Sequence, residues 1–168
     1  YDVLNSFSQA CTTFVGQNYG GGKLRRCRKT FALCLGEAAA ASAAAIALVL
    51  LSGRFLLSIF NSDPEVVDIG YTRIVMVFTA YTFSMLYEVM SGYLRGFGIS
   101  LVPAILTTIG VCVVRIVWIH FAFPASPTFV TIMMAYPISL SITALFMLGA
   151  LLYSRPSRRY ALRDGERG

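Results

Sequence analysis

Residues 128–153 read TFVTIMMAYPISLSITALFMLGALLY, a stretch without a single charged side chain. An α-helix rises about 1.5 Å per residue, so about 20 such residues cross the roughly 30 Å hydrocarbon core of a bilayer. Working outward, the same reading applies to residues 101–121, 71–94 and 30–52, each apolar and bounded by glycine, proline or basic residues. Residues 3–19 read as the later part of a further helix, stopped by Gly20-Gly21-Gly22. The composition agrees: 57% of the 168 residues are hydrophobic and 13% are charged, about half the charged fraction of a soluble domain, and the mean hydropathy is +0.69. The expected fold is all-α, a polytopic integral membrane helix bundle with four complete spans and a partial one over 1–153, followed by a basic tail over 154–168.

Between the spans, residues 53–70 mix an apolar face with Asn61-Ser62-Asp63-Pro64-Glu65, which predicts an interfacial segment and an acidic loop. Pro124-Ala125-Ser126-Pro127 predicts another loop, since a residue before proline is biased away from helix. Lysine and arginine collect in short cytoplasmic loops. Helix ends alternate sides, so the 20–29 loop, the 95–100 loop and the tail share a face that holds eleven of the fourteen cations. That face is the expected cytoplasmic one, which gives a multi-pass protein of the cell membrane with its C-terminus in the cytoplasm and Asp63, Glu65 and Asp68 on the outer side.

Other classes fit less well. The net charge of +6 could suggest nucleic acid, but the cations cluster at span ends without interleaved aromatics. Cys11, Cys27, Cys34 and Cys112 form no C-x-x-C pair and there is one histidine, so neither a metal site nor a disulfide framework is expected. The glycines at 20–22 lack the following G-K-[ST] of a phosphate loop. No enzyme chemistry and no cofactor is expected. The chain opens Tyr1-Asp2-Val3-Leu4 without a signal peptide, and with a partial first helix it is expected to continue a larger protein whose N-terminal helices would be its nearest partners.

Four short signatures follow one another in order. Phe14-Val15-Gly16-Gln17-Asn18-Tyr19-Gly20-Gly21-Gly22 precedes a basic loop; Leu94-Arg95-Gly96-Phe97-Gly98 closes the second span; Arg115-Ile116-Val117-Trp118 lies in the third; Tyr136-Pro137-Ile138-Ser139 lies in the fourth. Together they resemble the multidrug and toxic compound extrusion (MATE) family, from the end of its eighth helix to its twelfth. The family patterns are V-G-Q-N-x-G-A-G, L-R-G-x-G, R-I-x-W and Y-P-x-S-W; here Gly21 stands where alanine is usual and Leu140 where tryptophan is. The resemblance implies twelve helices in two six-helix lobes, exporting cationic, amphiphilic organic compounds in exchange for Na⁺ or H⁺. It gives Gly16, Gln17, Gly20, Arg95, Gly96, Arg115, Trp118 and Pro137 structural roles.

Within the spans, Glu88 stands out. Tyr81, Ser84, Glu88, Ser91, Gly92 and Arg95 recur at steps of three and four, one polar stripe on an apolar helix that must face protein or water. A carboxylate at that depth costs several kcal/mol unless paired, solvated or protonated, which makes it a functional candidate. With an adjustable pKa it could hold H⁺, Na⁺ or an organic cation in turn; the other reading is a structural hydrogen-bond partner. Glu37 has no such stripe and reads as structural or snorkelling. Arg115 is expected to donate to the Met133 carbonyl freed by Pro137 and to Tyr136, as a clamp rather than a substrate contact. His120 reads as interfacial. Phe78, Tyr81, Phe83, Tyr87 and Tyr136 could wall a cavity for flat cations. The ion- and substrate-binding candidates are therefore Glu88, Tyr81, Ser84 and Tyr136, with small organic cations and membrane lipids as partners. Two alternatives stay open, a lipid or lipid-linked oligosaccharide flippase of the same superfamily, and a non-transporting scaffold or channel.

Overall fold

The computed structural model of the chain describes residues 2–60, 63–125, 127–154 and 156. Every element among them is helical: α1 (Asp2–Gly20), α2 (Leu24–Phe60), α3 (Pro64–Gly96), α4 (Leu101–Thr108), a π-helical turn (Ile109–Val113), α5 (Val114–Ala125) and α6 (Phe129–Ser154). Among the described residues, four stretches are long and apolar enough to cross a membrane: Leu24–Phe60, Pro64–Gly96, Leu101–Pro124 and Phe129–Ser154. The expected basic tail lies outside the described residues beyond Ser154 and Pro156.

Glycine terminates two helices by the same geometry. At the end of α1, Lys23 N–H donates to Asn18 O at 2.8 Å and Gly22 N–H to Tyr19 O at 3.0 Å, with Gly22 at φ +69°. At the end of α3, Ile99 N–H donates to Leu94 O at 3.1 Å and Gly98 N–H to Arg95 O at 2.9 Å, with Gly98 at φ +81°. Both are Schellman caps, whose left-handed residue is best supplied by glycine. The start of α3 is equally explicit. Asp63 accepts from Glu65 N–H at 3.0 Å, and Pro64 occupies the first turn, where its missing N–H costs nothing.

That cap corrects the expectation for residues 53–70. Among the described residues α2 continues to Phe60 and α3 begins at Pro64, so 53–60 and 64–70 belong to those helices rather than to a separate interfacial segment. Gly53 alone does not break a helix, and it packs with its Cβ position 3.4 Å from the Tyr71 ring. Asp63 and Glu65 serve helix initiation instead of an extended loop. Below the turn, Arg54 pairs with Asp68 at 3.0 Å and lies over the Tyr71 ring at 5.1 Å.

Helix α3 is the central post. One side packs Met85, Val89, Tyr93 and Phe97 against Cys11 and Val15 of α1 and Cys27, Cys34 and Ala38 of α2. The other packs Ala80, Tyr87, Met90 and Leu94 against Leu140, Ala144 and Met147 of α6. The α4–α5 span lies against α6. Large apolar side chains, among them Leu51, Phe55, Leu101, Phe121 and Leu145, are exposed on the outside, the arrangement that suits a hydrocarbon solvent.

Candidate functional site

Helices α1 and α3 run parallel in a register that is constant over several turns. Ser8 Oγ donates to Glu88 O at 2.7 Å and Thr12 Oγ1 to Gly92 O at 3.0 Å, each across 80 residues of chain. Further along, the Cβ position of Gly16 is 3.6 Å from Gly96 O, and the Tyr19 and Phe97 rings are 5.1 Å apart. Small residues at four-residue steps let two membrane helices approach until hydroxyls reach the partner backbone. A Cβ on Gly96 would stand 2.7 Å from Val15 Cβ, so the first two sequence signatures are the two halves of one close contact. Arg95 belongs to the same seam, its guanidinium donating to Ser8 Oγ at 2.7 Å. Gln17 is exposed and contributes its carbonyl to Gly21 N–H at 3.1 Å; Gly20 is exposed with open space around it.

The other two signatures also meet each other. Arg115 Nε donates to Ser139 Oγ at 3.0 Å, and its guanidinium carbon lies 4.5 Å from the Tyr136 ring centroid. One turn on, Trp118 Nε1 donates to Thr131 O at 2.8 Å. The expected donation from Arg115 to the Met133 carbonyl is replaced by that to Ser139. The two signatures run antiparallel, so Arg115 is level with the residues after Pro137 and its guanidinium carbon lies over the Tyr136 ring, a cation–π contact that suits a guanidinium. Pro137 interrupts the backbone ladder of α6, and Ser139 Oγ also donates to Tyr136 O at 3.1 Å, holding the turn around it.

Between α3, the α4–α5 span and α6 lies a cavity of about 480 Å³. Tyr81, Ser84 and Tyr87 of α3, Thr107, Thr108, Cys112 and Arg115 of the kinked span, and Tyr136 and Leu140 of α6 form most of its wall. Ser84 Oγ donates to Tyr87 Oη at 3.4 Å. The π-helical turn at Ile109–Val113 lies directly beside it, where Gly110 approaches the Thr143 backbone with its Cβ position 3.0 Å from Thr143 Cα. An extra residue in a helical turn re-aims the side chains that follow, here Arg115 and Trp118.

Three of the four sequence candidates, Tyr81, Ser84 and Tyr136, are thus brought to one cavity. Glu88 is buried on α3 but is not on that wall. It lies on the same stripe one turn past Ser84, about 6 Å along the axis, where α1 covers the stripe with Ser8 and Thr12. Phe83 faces a separate apolar groove, Phe78 packs edge-on against Tyr81 at 5.6 Å, and Glu37 and His120 are exposed. Tyr87, expected among the aromatics of a cavity for flat cations, does reach that wall, whereas nothing in the sequence marks Ser139 as the Arg115 acceptor or Ser8 as the hub between Arg95 and Glu88. Each of these two is legible only once two helices are in register.

Membrane-length helices, a lipid-compatible exterior and an internal cavity edged by hydroxyls define a polytopic helical membrane protein. A family model described as MatE matches residues 1–120, and the chain belongs to the MatE family, a family of transporters. The match takes in the first three signatures and ends before Tyr136. No curated protein and no solved structure matches the chain.

Proposed function

We propose that the chain forms part of a secondary active exporter that expels cationic or amphiphilic organic compounds in exchange for Na⁺ or H⁺ by alternating access. The observation that carries this reading is the intramembrane cavity walled by Tyr81, Tyr87 and Tyr136 with Ser84 and Thr108 between them. Three tyrosines offer π faces for a flat, delocalised cation, and the hydroxyls offer acceptors that replace part of its hydration. In this reading the opposite wall comes from further helices of the same transporter, as the MATE resemblance implies. The protein sits in the cell membrane with its basic end, Lys23 to Lys29 beside Arg95, facing the cytoplasm. Glu88 lies behind the cavity as the carboxylate whose protonation or Na⁺ binding would be read through the shared α3 stripe.

A second reading has a specific observation in its favour: Arg115 is on the cavity wall. A guanidinium there suits an anionic head group, as a lipid or lipid-linked sugar flippase would need. The charge, however, lies over the Tyr136 ring and is hydrogen-bonded to Ser139, which leaves it as part of the wall's structure.

The test is efflux of a fluorescent organic cation from cells expressing the protein in its full coding length, with the Na⁺ and H⁺ gradients collapsed separately. Export that stops when one gradient is removed supports antiport and names the ion. A Glu88→Gln variant at matched expression that exports normally removes Glu88 from the route, and absence of export for every cation tried moves the assignment to the flippase.

A further inference from the structure

On the face of the bundle away from the tyrosine cavity, α2, α3 and α6 enclose a groove of about 400 Å³ lined by Phe31, Leu35, Leu86, Met90, Leu145 and Leu148 among others. Its walls are apolar throughout. The one hydroxyl on them, that of Ser141, is already committed to Pro137 O at 2.6 Å. Along α6 the lining runs from Ser141 to Leu151, roughly 15 Å or half of a ~30 Å hydrocarbon core, the depth of one leaflet. Leu145 and Leu148 at its edge are exposed, so the groove opens on the lipid rather than on the tyrosine cavity.

The groove ends where the cations are. Arg28 precedes Phe31 by three residues and Leu35 by seven, which places all three on one face of α2. Arg28 is exposed, and because helical side chains lean toward the N-terminus, a residue at that position is within reach of the mouth of the groove from the head-group side. Arg25 stands one turn further out on nearly the same face. A basic mouth over an apolar slot one leaflet deep is complementary to a single molecule with a phosphate at one end and a hydrocarbon chain at the other.

We propose that an anionic phospholipid binds this groove specifically, one acyl chain between α2 and α6 and its phosphate on Arg28. This goes beyond the transport reading and does not depend on it. The test is native mass spectrometry of the purified full-length protein titrated with phosphatidylglycerol or with phosphatidylcholine. Phosphatidylglycerol adducts should survive collisional activation that strips phosphatidylcholine, by several-fold in bound fraction. Arg28→Gln should abolish that preference, and Leu148→Trp, which fills the groove, should remove the adduct for both lipids. Equal retention of the two lipids by the wild type, or wild-type retention in both variants, overturns the site. In case a variant does not fold, wild-type protein is labelled with phosphatidylglycerol bearing a diazirine in its acyl chain. Label on Leu86, Met90 or Leu148 supports the groove, and label spread over the exposed faces of α4 and α5 overturns it.

Discussion

Substituting Gly92 by alanine should pry α1 from α3. An added Cβ would stand 3.1 Å from the Ser8 carbonyl carbon and 2.9 Å from Ser8 Oγ, and closer still to Ser8 O. The obstruction is backbone rather than the end of a flexible side chain, so the helices must separate. Overpacking of this kind costs about 1–3 kcal/mol. Separation also stretches the Ser8–Glu88, Thr12–Gly92 and Arg95–Ser8 hydrogen bonds, worth about 0.6 kcal/mol each between membrane helices. Against this, alanine is intrinsically the better helix former by about 1 kcal/mol. The balance is a loss of about 2–4 kcal/mol, measured by reversible unfolding in mixed micelles of mild detergent and dodecyl sulfate. Gly36→Ala and Gly149→Ala are the controls, because nothing lies within 4 Å of a Cβ at either; both should be neutral or slightly stabilising. A Gly92→Ala protein as stable as these controls would refute the close-packed seam.

Arg115→Lys should destabilise the α5–α6 contact by about 1–2 kcal/mol in the same assay, since lysine lacks both the planar face for Tyr136 and the Nε donor for Ser139. Gly98→Ala, forced to keep φ near +81°, should cost about 1–2 kcal/mol, whereas Gly20→Ala should be tolerated; equal effects would dismiss the Schellman assignment. Asp68→Asn removes an ion pair whose side chains are 66% and 62% exposed, so a change beyond about 1 kcal/mol would be unexpected. Tyr136→Leu should weaken export of a flat aromatic cation more than that of an aliphatic one, read as the ratio of their efflux rates, and equal losses would argue against cation–π recognition.

Length, apolarity and turn chemistry made the helices legible. Runs such as 128–153 announce spans by the absence of charge, and Gly22 and Gly98 announce caps by being the residues that accept a left-handed backbone. The boundary within 53–70 is ambiguous in the sequence because acidic residues beside a proline suit a loop and an N-cap equally; only the Asp63 contact with Glu65 N–H separates them. The cavity was half legible. The period of α3 put Tyr81, Ser84 and Glu88 on one stripe, but a stripe carries no information about where along it a neighbouring helix ends its cover. Glu88, one turn beyond Ser84, is accordingly buried and absent from the cavity wall, its backbone carbonyl taken by Ser8 of α1. Likewise nothing in Arg115-Ile116-Val117-Trp118 says that its partner is Ser139, since the match depends on the antiparallel register with α6 and on the π-helical turn that re-aims α5.

The length of α2 sets a mechanical condition on the whole bundle. At 37 residues it is roughly 55 Å long, against about 40–45 Å for a bilayer including its head groups. A tilt of about 40°, the upper end of what spanning helices adopt, brings its rise down to about 42 Å. Because Gly53, Leu57 and Arg54 fasten α2 to Tyr71, Gly70 and Asp68, α3 must lean with it, and α3 carries the inner wall of the tyrosine cavity. A thinner membrane is therefore expected to push the α2–α3 hairpin over and a thicker one to let it stand, which would make acyl-chain length a handle on the shape of the cavity that touches none of its residues.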